Sequence, residues 1–300
     1  MIKYVGIEKK KARWGWFFVM PAVILFLMFS LYPMLNALYN TFFNIKLLSK
    51  KAPNFVGLKN YVRVLTSPDF LNSARATIVF TISAFLPLTF FSLIIALGMT
   101  SRKRGTRLLQ LIYYSPAVLS SVVAALIWML LFDPRGLANS SLNFILHTPG
   151  VDHHWLTSNV MLQFCTACIY VWKYIGYFTI IYVTGIGKIS QSVLEAATID
   201  GASKAQIVRR ITLPLLRPTT LMVSIVAMLN CLKSFSTQYL FTQRGAPLEA
   251  INVITLNIYN TAMRDLNISQ ACVMSVILFL IMMVLTLVRL KSSDKNSTDY

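Results

Sequence analysis

Carboxylates are what this sequence has least of. Ten Asp and Glu stand among 300 residues, against 28 Lys and Arg, and none of the ten lies inside a long apolar run. A membrane enzyme or a proton-coupled carrier commonly sets a carboxylate within the bilayer, so both classes lose their usual chemistry here. No GxxxxGK[ST] phosphate loop occurs, so the chain does not hydrolyse ATP by itself. The four cysteines, Cys165, Cys168, Cys231 and Cys272, all fall in apolar runs, and they indicate no disulfide framework. Cys165 and Cys168 spell CxxC, but without a thioredoxin-like strand–helix context they read as packing residues. The three histidines, His147, His153 and His154, share one polar segment with Asp152. Adjacent histidines lack the spacing of a metal site, and a solvated loop is the simpler account.

Apolar residues are plentiful. They make up 56% of the chain, charged residues only 13%, and the mean hydropathy is +0.63, which is the composition of a membrane protein. A span needs about 20 apolar residues, and six runs reach that length: Trp14–Leu38, Thr77–Met99, Leu108–Phe132, Val160–Ile186, Thr219–Phe241 and Ala271–Leu290. One such run is compatible with a buried core helix; six are not. The expectation is an all-α polytopic membrane protein with six transmembrane helices. The run after "KKKAR" is too long for a signal peptide and lacks a small-x-small cleavage pattern, so it reads as a retained first span.

The net charge of +18 would suggest nucleic acid in a soluble protein. Its distribution points elsewhere. With the N-terminus in the cytoplasm, cytoplasmic segments carry 17 Lys/Arg: five in residues 1–13, four in Arg102–Arg107, five in Lys188–Arg217 and three from Arg289 onward. External loops carry nine and the spans two, Lys173 and Lys233. The excess follows the positive-inside rule, which puts both termini in the cytoplasm and leaves no call for nucleic acid. The first external loop, with Lys46, Lys50, Lys51, Lys59 and Arg63, works against that rule without reversing the balance.

Between the fourth and fifth runs lies "EAATIDGASKAQIVRRITLPLL", residues 195–216, on the cytoplasmic side. Ser192-Val-Leu-Glu195 fits a capping box, predicting a helix through Ile199 that Asp200-Gly201 ends, since glycine accepts the left-handed conformation. Ser203-Lys-Ala-Gln206 fits a second capping box, predicting a helix to about Ile211. Pro214 then interrupts the backbone bonding. Local physics alone allows a plain amphipathic turn at the membrane surface. The spacing says more. Glu195-Ala196-Ala197, three residues, Gly201, nine residues, then Ile211-x-Leu213-Pro214 resembles the EAA signature of permease subunits of binding-protein-dependent ABC importers.

In that family this loop is the coupling helix, seated in a cleft of a cytoplasmic ATPase subunit. The resemblance therefore implies a coupling role for Glu195, Ala196, Ala197, Asp200, Gly201, Ile211, Leu213 and Pro214. "FVGLKNYVRVL" with "SPDF" (55–70), "DPRGLAN" (133–139) and "VWKYIGYF" (171–178) are similar to the carbohydrate-uptake branch, the sugar and glycerol-phosphate permeases related to the maltose importer. Ser190 stands where a proline often precedes the loop, and Gly245-Ala246-Pro247 replaces a frequent Gly-Gly-Pro. The resemblance implies the type I ABC importer transmembrane fold in a prokaryotic cytoplasmic membrane. A tail (1–13), a first helix with its external loop (14–72), a five-helix core (73–290, coupling loop 188–217) and a second tail (291–300) would divide the chain. A second homologous permease subunit, two ATPase subunits and an extracytoplasmic solute-binding protein are the implied partners. ATP and Mg would sit on the ATPase, and no cofactor on this chain.

Polar stripes mark the fourth and fifth runs. At 100° per residue, Asn230, Lys233, Ser234, Thr237 and Gln238 fall within an arc of about 140°, with Leu232, Phe235 and Tyr239 opposite. Gln163, Thr166, Tyr170, Lys173, Tyr174 and Tyr177 fall within about 100°. Helix–helix hydrogen bonding or snorkelling lysines would also explain them. A central lysine costs ~2.5–3.5 kcal/mol on insertion scales, against ~0.3–0.6 gained per leucine. That cost favours a hydrated substrate path through Tyr170, Lys173, Tyr174, Tyr177, Asn230, Lys233, Ser234 and Gln238. The expected cargo is a di- or oligosaccharide; the alternatives are glycerol phosphate or another anionic solute. A carrier or channel working without an ATPase is the rival of a different class, and the EAA loop argues against it.

Overall fold

In the computed structural model the described residues are 2–49, 52–102, 105–243 and 245–294. The counted basic residues Lys50, Lys51, Lys103, Arg104, Arg244 and Lys295 lie outside them, as does most of the predicted tail 291–300. The described chain is almost wholly helical. Five helices are long and apolar enough to cross a membrane: Trp14–Asn40, Pro68–Thr100, Asn159–Ile186, Arg217–Gln243 and Ile268–Lys291. A bent pair, Thr106–Val118 and Ser121–Leu131, meets at 96° and makes a sixth candidate when its two limbs are counted as one span.

That bend corrects the single straight span expected over 108–132. Pro116 sits in the last turn of the first limb. Leu119 and Ser120 are extended (φ −63°, ψ 142° and φ −61°, ψ 149°). The Val123 amide then donates to Ser120 Oγ at 3.2 Å, capping the second limb. A proline that spends one helix's bonding and a serine that starts the next produce the break together.

The chain forms two units. One comprises the chain up to Ser67 and Ile258–Ile277. Here the first span widens to a π turn at Leu27–Leu31 just before Pro33, which gives the proline ring room against the preceding turn. A two-stranded hairpin follows, pairing Phe43 with Phe55. Buried Asn60 donates to the Thr41 and Phe43 carbonyls at 2.9 and 2.8 Å. The Ile45 amide donates to Ser269 Oγ at 2.6 Å, and the Leu47 amide to the Leu266 carbonyl at 2.9 Å. The loop after the first span is thereby tied to the start of the last.

The other unit holds Pro68–Asn257 and the chain from Leu278. Its main core joins Phe80, Ala84, Leu88 and Ala96 of the second span to Ala167, Tyr170, Phe178 and Tyr182 of the fourth and Val223, Ala227 and Cys231 of the fifth. Lipid is as apolar as these side chains, so close packing rather than escape from water holds the helices together. Small residues permit it. A Cβ on Gly176 would lie 1.9 Å from the Tyr113 carbonyl oxygen, so only glycine lets the first limb of the bent span approach this closely. Ser92 Oγ donates to the Ile175 carbonyl at 3.2 Å across the same packing.

Candidate functional site

Two sites emerge, an exposed elbow and a half-open polar cavity. The elbow begins with the helix Gln191–Ile199. Its N-cap is Ser190, with no side-chain cap bond, so the capping box expected at Ser192 and Glu195 does not form. The helix starts two residues earlier than that box requires. Ser192 Oγ bonds Ser190 Oγ at 2.7 Å, and Glu195 Oε1 accepts from Gln191 Nε2 at 3.2 Å, one turn back.

The C-terminal signal behaves as expected. Gly201 has φ +78°; its amide donates to the Thr198 carbonyl at 3.1 Å and the Ala202 amide to the Ala197 carbonyl at 3.0 Å. These are the two bonds of a Schellman motif. The second capping box forms in full: the Gln206 amide donates to Ser203 Oγ at 3.3 Å and the Ser203 amide to Gln206 Oε1 at 2.7 Å. The helix from Lys204 widens to a π turn at Val208–Thr212 ahead of Pro214. This is the same accommodation of a proline ring found before Pro33.

Glu195, Ala196, Asp200, Gly201 and Leu213 are exposed, while Ala197, Ile211 and Pro214 are half-buried. The elbow's corner carries Ile199 at 86% exposure, an apolar tip that the sequence reading counted only as the end of a helix.

The cavity has a volume of about 270 Å³ and is open on one side. Three elements build it. Ser121 comes from the start of the second limb of the bent span, and Tyr170, Lys173 and Tyr174 come from the fourth span. The fifth span supplies Asn230 and the run Lys233 to Thr237. Lys173 is 6% exposed; its Nζ donates to Ser121 Oγ at 2.8 Å and lies 5.4 Å from the Tyr174 ring centre. The rings of Tyr170 and Tyr174 lean together, 4.7 Å between centres. Ser234 Oγ donates to Gln238 Oε1 at 3.1 Å.

Six of the eight residues expected on the path therefore line one cavity: Tyr170, Lys173, Tyr174, Asn230, Lys233 and Ser234. Tyr177 and Gln238 do not. Tyr177 is 39% exposed, its ring against Phe178. Gln238 is fully buried behind Ser234, and among the described residues its Nε2 has no hydrogen-bond partner. Gln163 and Thr166, on the same stripe, bond to the backbone at Ala250 and Gln163.

Phe235, placed opposite the stripe by helical counting, also lines the cavity. The fifth span breaks between Arg217–Leu232 and Ser236–Gln243, so a 100° step does not carry across it. Thr255 Oγ1 donates to the Ser234 carbonyl freed by the break. Ser121 was missed because the third span was read as continuous; Pro116 and Ser120 were the available signals.

Outside the spans, Asn139 organises the loop after Asp133. Its Nδ2 donates to the Pro134 carbonyl at 3.0 Å and to Asp152 Oδ1 at 3.1 Å, and its Oδ1 accepts from Trp155 Nε1 at 2.7 Å. The His154 amide and Asn139 hold the Asp152 carboxyl below the usual aspartate range. His154 Nδ1 lies 3.3 Å from Asp152, and no group of three or more potential ligands gathers for a metal among the described residues.

A helical membrane protein, spans broken around a polar cavity and a capped polar elbow beside them, defines a multi-pass transport subunit. The family described as "Binding-protein-dependent transport system inner membrane component" matches residues 88–290, and the chain belongs to it. It is a permease component of a binding-protein-dependent ABC importer, a non-enzymatic inner-membrane part of a transporter complex. The sn-glycerol-3-phosphate transport system permease protein UgpA of Agrobacterium fabrum is 29% identical over 92% of this chain and 93% of its own length. The trehalose/maltose transport system permease protein MalF of Thermococcus litoralis is 28% identical over 95% of both chains. A chain of the crystal structure of a bacterial alginate ABC transporter, in complex with alginate pentasaccharide-bound periplasmic protein, superposes with a TM-score of 0.82. It is 22% identical over 94% of each chain, and the likeness fixes the fold.

Proposed function

We propose that this chain passes a sugar, or a solute equally rich in hydroxyl groups, from an extracytoplasmic solute-binding protein through the membrane. It works beside a second homologous permease subunit and two ATPase subunits, which carry ATP and Mg. The observation that carries this reading is the cavity wall: an amide, three serines, a threonine, two tyrosines and two lysines converge on one space within the spans. A sugar leaving water needs replacements for its hydrogen bonds, since each unsatisfied group costs ~1–3 kcal/mol. Serine and threonine hydroxyls and amides both donate and accept, and a tyrosine face covers the apolar side of a pyranose ring. The relatives named for glycerol phosphate and for trehalose and maltose support a hydroxyl-rich cargo.

The elbow serves as the coupling element. Its exposed Ile199 and its two rigid closures, the Schellman motif and the capping box, suit a part that docks in an ATPase cleft and transmits force. Both termini and the elbow face the cytoplasm, supported by the division of Lys and Arg. Glu195→Lys and Gly201→Val are expected to leave the chain inserted but to lower uptake at least tenfold and to abolish stimulation of ATP hydrolysis by loaded binding protein. No Cβ at Gly201 would clash; the barrier is the φ of +78°, costly for a β-branched residue. Uptake, ATPase stimulation and complex yield should be measured together, and wild-type uptake by both variants would make the elbow a passive turn. A cysteine replacing Ser203, in a cysteine-free background, should resist impermeant labelling reagents outside intact cells, while cysteines replacing Ser49 and Ser158 react. The reverse pattern overturns the orientation.

A further inference from the structure

Building on the orientation proposed above, we infer that the segment between the first and second spans binds anionic phospholipid of the outer leaflet. Its apolar stripe lies among acyl chains, and Lys59 and Arg63 hold the phosphate groups. The sequence poses the problem. Between Glu8 and Asp69 it has no Asp or Glu, yet residues 41–67 carry Lys46, Lys50, Lys51, Lys59 and Arg63, on the face that disfavours positive charge. Among the described residues the one ion pair is His154 with Asp152. Lys46, Lys59 and Arg63 are exposed and have no carboxylate partner there.

The fold holds this segment at the level of the span ends. The Tyr61 hydroxyl donates to Thr41 Oγ1 at 3.1 Å, one residue beyond the first span, and Asn60 bonds the Thr41 and Phe43 carbonyls. The bonds from Ile45 and Leu47 to Ser269 and Leu266 fix the hairpin where the last span starts. The second span begins at Pro68, soon after the helix Lys59–Leu65 ends. Aromatic rings run across this level: Tyr39 lies 4.6 Å from Phe43, and Phe43 5.6 Å from Phe55, centre to centre. Tyr39 and Phe55 are exposed, as in the aromatic belts of membrane–water boundaries.

The helix Lys59–Leu65 has two open faces. Asn60 and Val64 are buried. At 100° per residue Leu58, Val62 and Leu65 fall within about 60°, and Leu58 and Val62 are 64% and 61% exposed. Lys59 and Arg63 fall between that stripe and the buried face. An apolar stripe flanked by cations suits a helix lying in the headgroup region. The long stems follow the apolar surface, and a guanidinium matches a pair of phosphate oxygens. A protein covering this face would have to bring carboxylates to Lys59 and Arg63, whereas the lipid phosphates are already at that depth. A zwitterionic headgroup brings a cation with its phosphate, so a segment without a single acid selects the anionic one.

The test uses the complete importer in lipid nanodiscs, with a bimane label on a cysteine replacing Val62 in a cysteine-free background. Phosphatidylglycerol or phosphatidylcholine, brominated near the head of its acyl chains, is added as the same minor share of a phosphatidylcholine bilayer. Both lipids should quench the label, the phosphatidylglycerol at least threefold more strongly. Lys59→Gln with Arg63→Gln, at exposed positions, should bring the two lipids to equal quenching at unchanged complex yield. Quenching by neither lipid would show the face covered by protein or water and overturn the site. Equal quenching in the chain that keeps Lys59 and Arg63, or a preference that survives their substitution, would overturn the charge selection. A fall in complex yield would make the pair an assembly contact instead. Cysteine labelling at Ser49, Ser158 and Ser203 reads the orientation separately, so a lipid site on the other face is told apart from no site.

Discussion

At Gly176 a single methyl group has nowhere to go. The atom it would meet is the Tyr113 carbonyl oxygen, which is backbone and cannot swing aside, so Gly176→Ala must push the first limb of the bent span off the fourth span. Overpacking of this kind costs ~1–3 kcal/mol. The displaced limb leads directly into Leu119, Ser120 and the Ser121 hydroxyl that Lys173 holds. Gly176→Ala is therefore expected to lower the thermal midpoint of the purified complex and to slow uptake as well. Gly98 supplies the control. It lies within the second span with open space around its Cβ position, and alanine there should be neutral or stabilising by up to ~1 kcal/mol. Equal behaviour of the two alanine variants would mean that the helix contact tolerates the methyl group.

Two broken elements meet at the cavity, and they were not equally legible. The bend of the third span was written in Pro116 and Ser120, residues with known effects on helix ends. The break of the fifth span was not: "NCLKSFSTQ" contains neither glycine nor proline. It is held from elsewhere in the fold by Thr255 on the Ser234 carbonyl, and locally by the Ser234 hydroxyl donating to Gln238 one turn on. Counting at 100° per residue consequently found the polar residues before the break, Asn230 among them, and misplaced Phe235 beyond it. The elbow was legible almost throughout, because its Gly201 and its Ser203–Gln206 box act locally. Only the cap at Ser192 failed, displaced by a helix that begins at Gln191. The break assigns different work to two residues of one stripe. Asn230→Leu removes a cavity-lining amide and should change the apparent KM for the cargo with little effect on stability. Gln238→Leu removes a buried anchor together with its own unpartnered Nε2, so the stability change should stay near ~1 kcal/mol while the maximal rate falls severalfold. Identical kinetic changes in the two variants would make Gln238 a cavity contact after all.

For the whole molecule, the polar cavity matters before any cargo arrives. The fourth and fifth spans, which supply nearly all of its lining, are the least apolar of the five candidate spans, and the last is the most apolar. A nascent helix leaves the protein-conducting channel for lipid according to its apolarity, and Lys173 weighs against that step by ~2.5–3.5 kcal/mol. The second span is already in the bilayer at that stage and offers the face, from Phe80 to Ala96, on which the fourth packs. Insertion of the fourth span should accordingly depend on the spans made before it. Fused alone to a reporter segment, Asn159–Ile186 is expected to insert poorly and to be rescued by Lys173→Leu; preceded by residues 68–132 it should insert without that change. Efficient insertion of the isolated wild-type segment would show that the span needs no escort. The residues that accommodate a hydrophilic passenger thus delay the helix's own entry into the bilayer, and the order of synthesis provides the companions that draw it in.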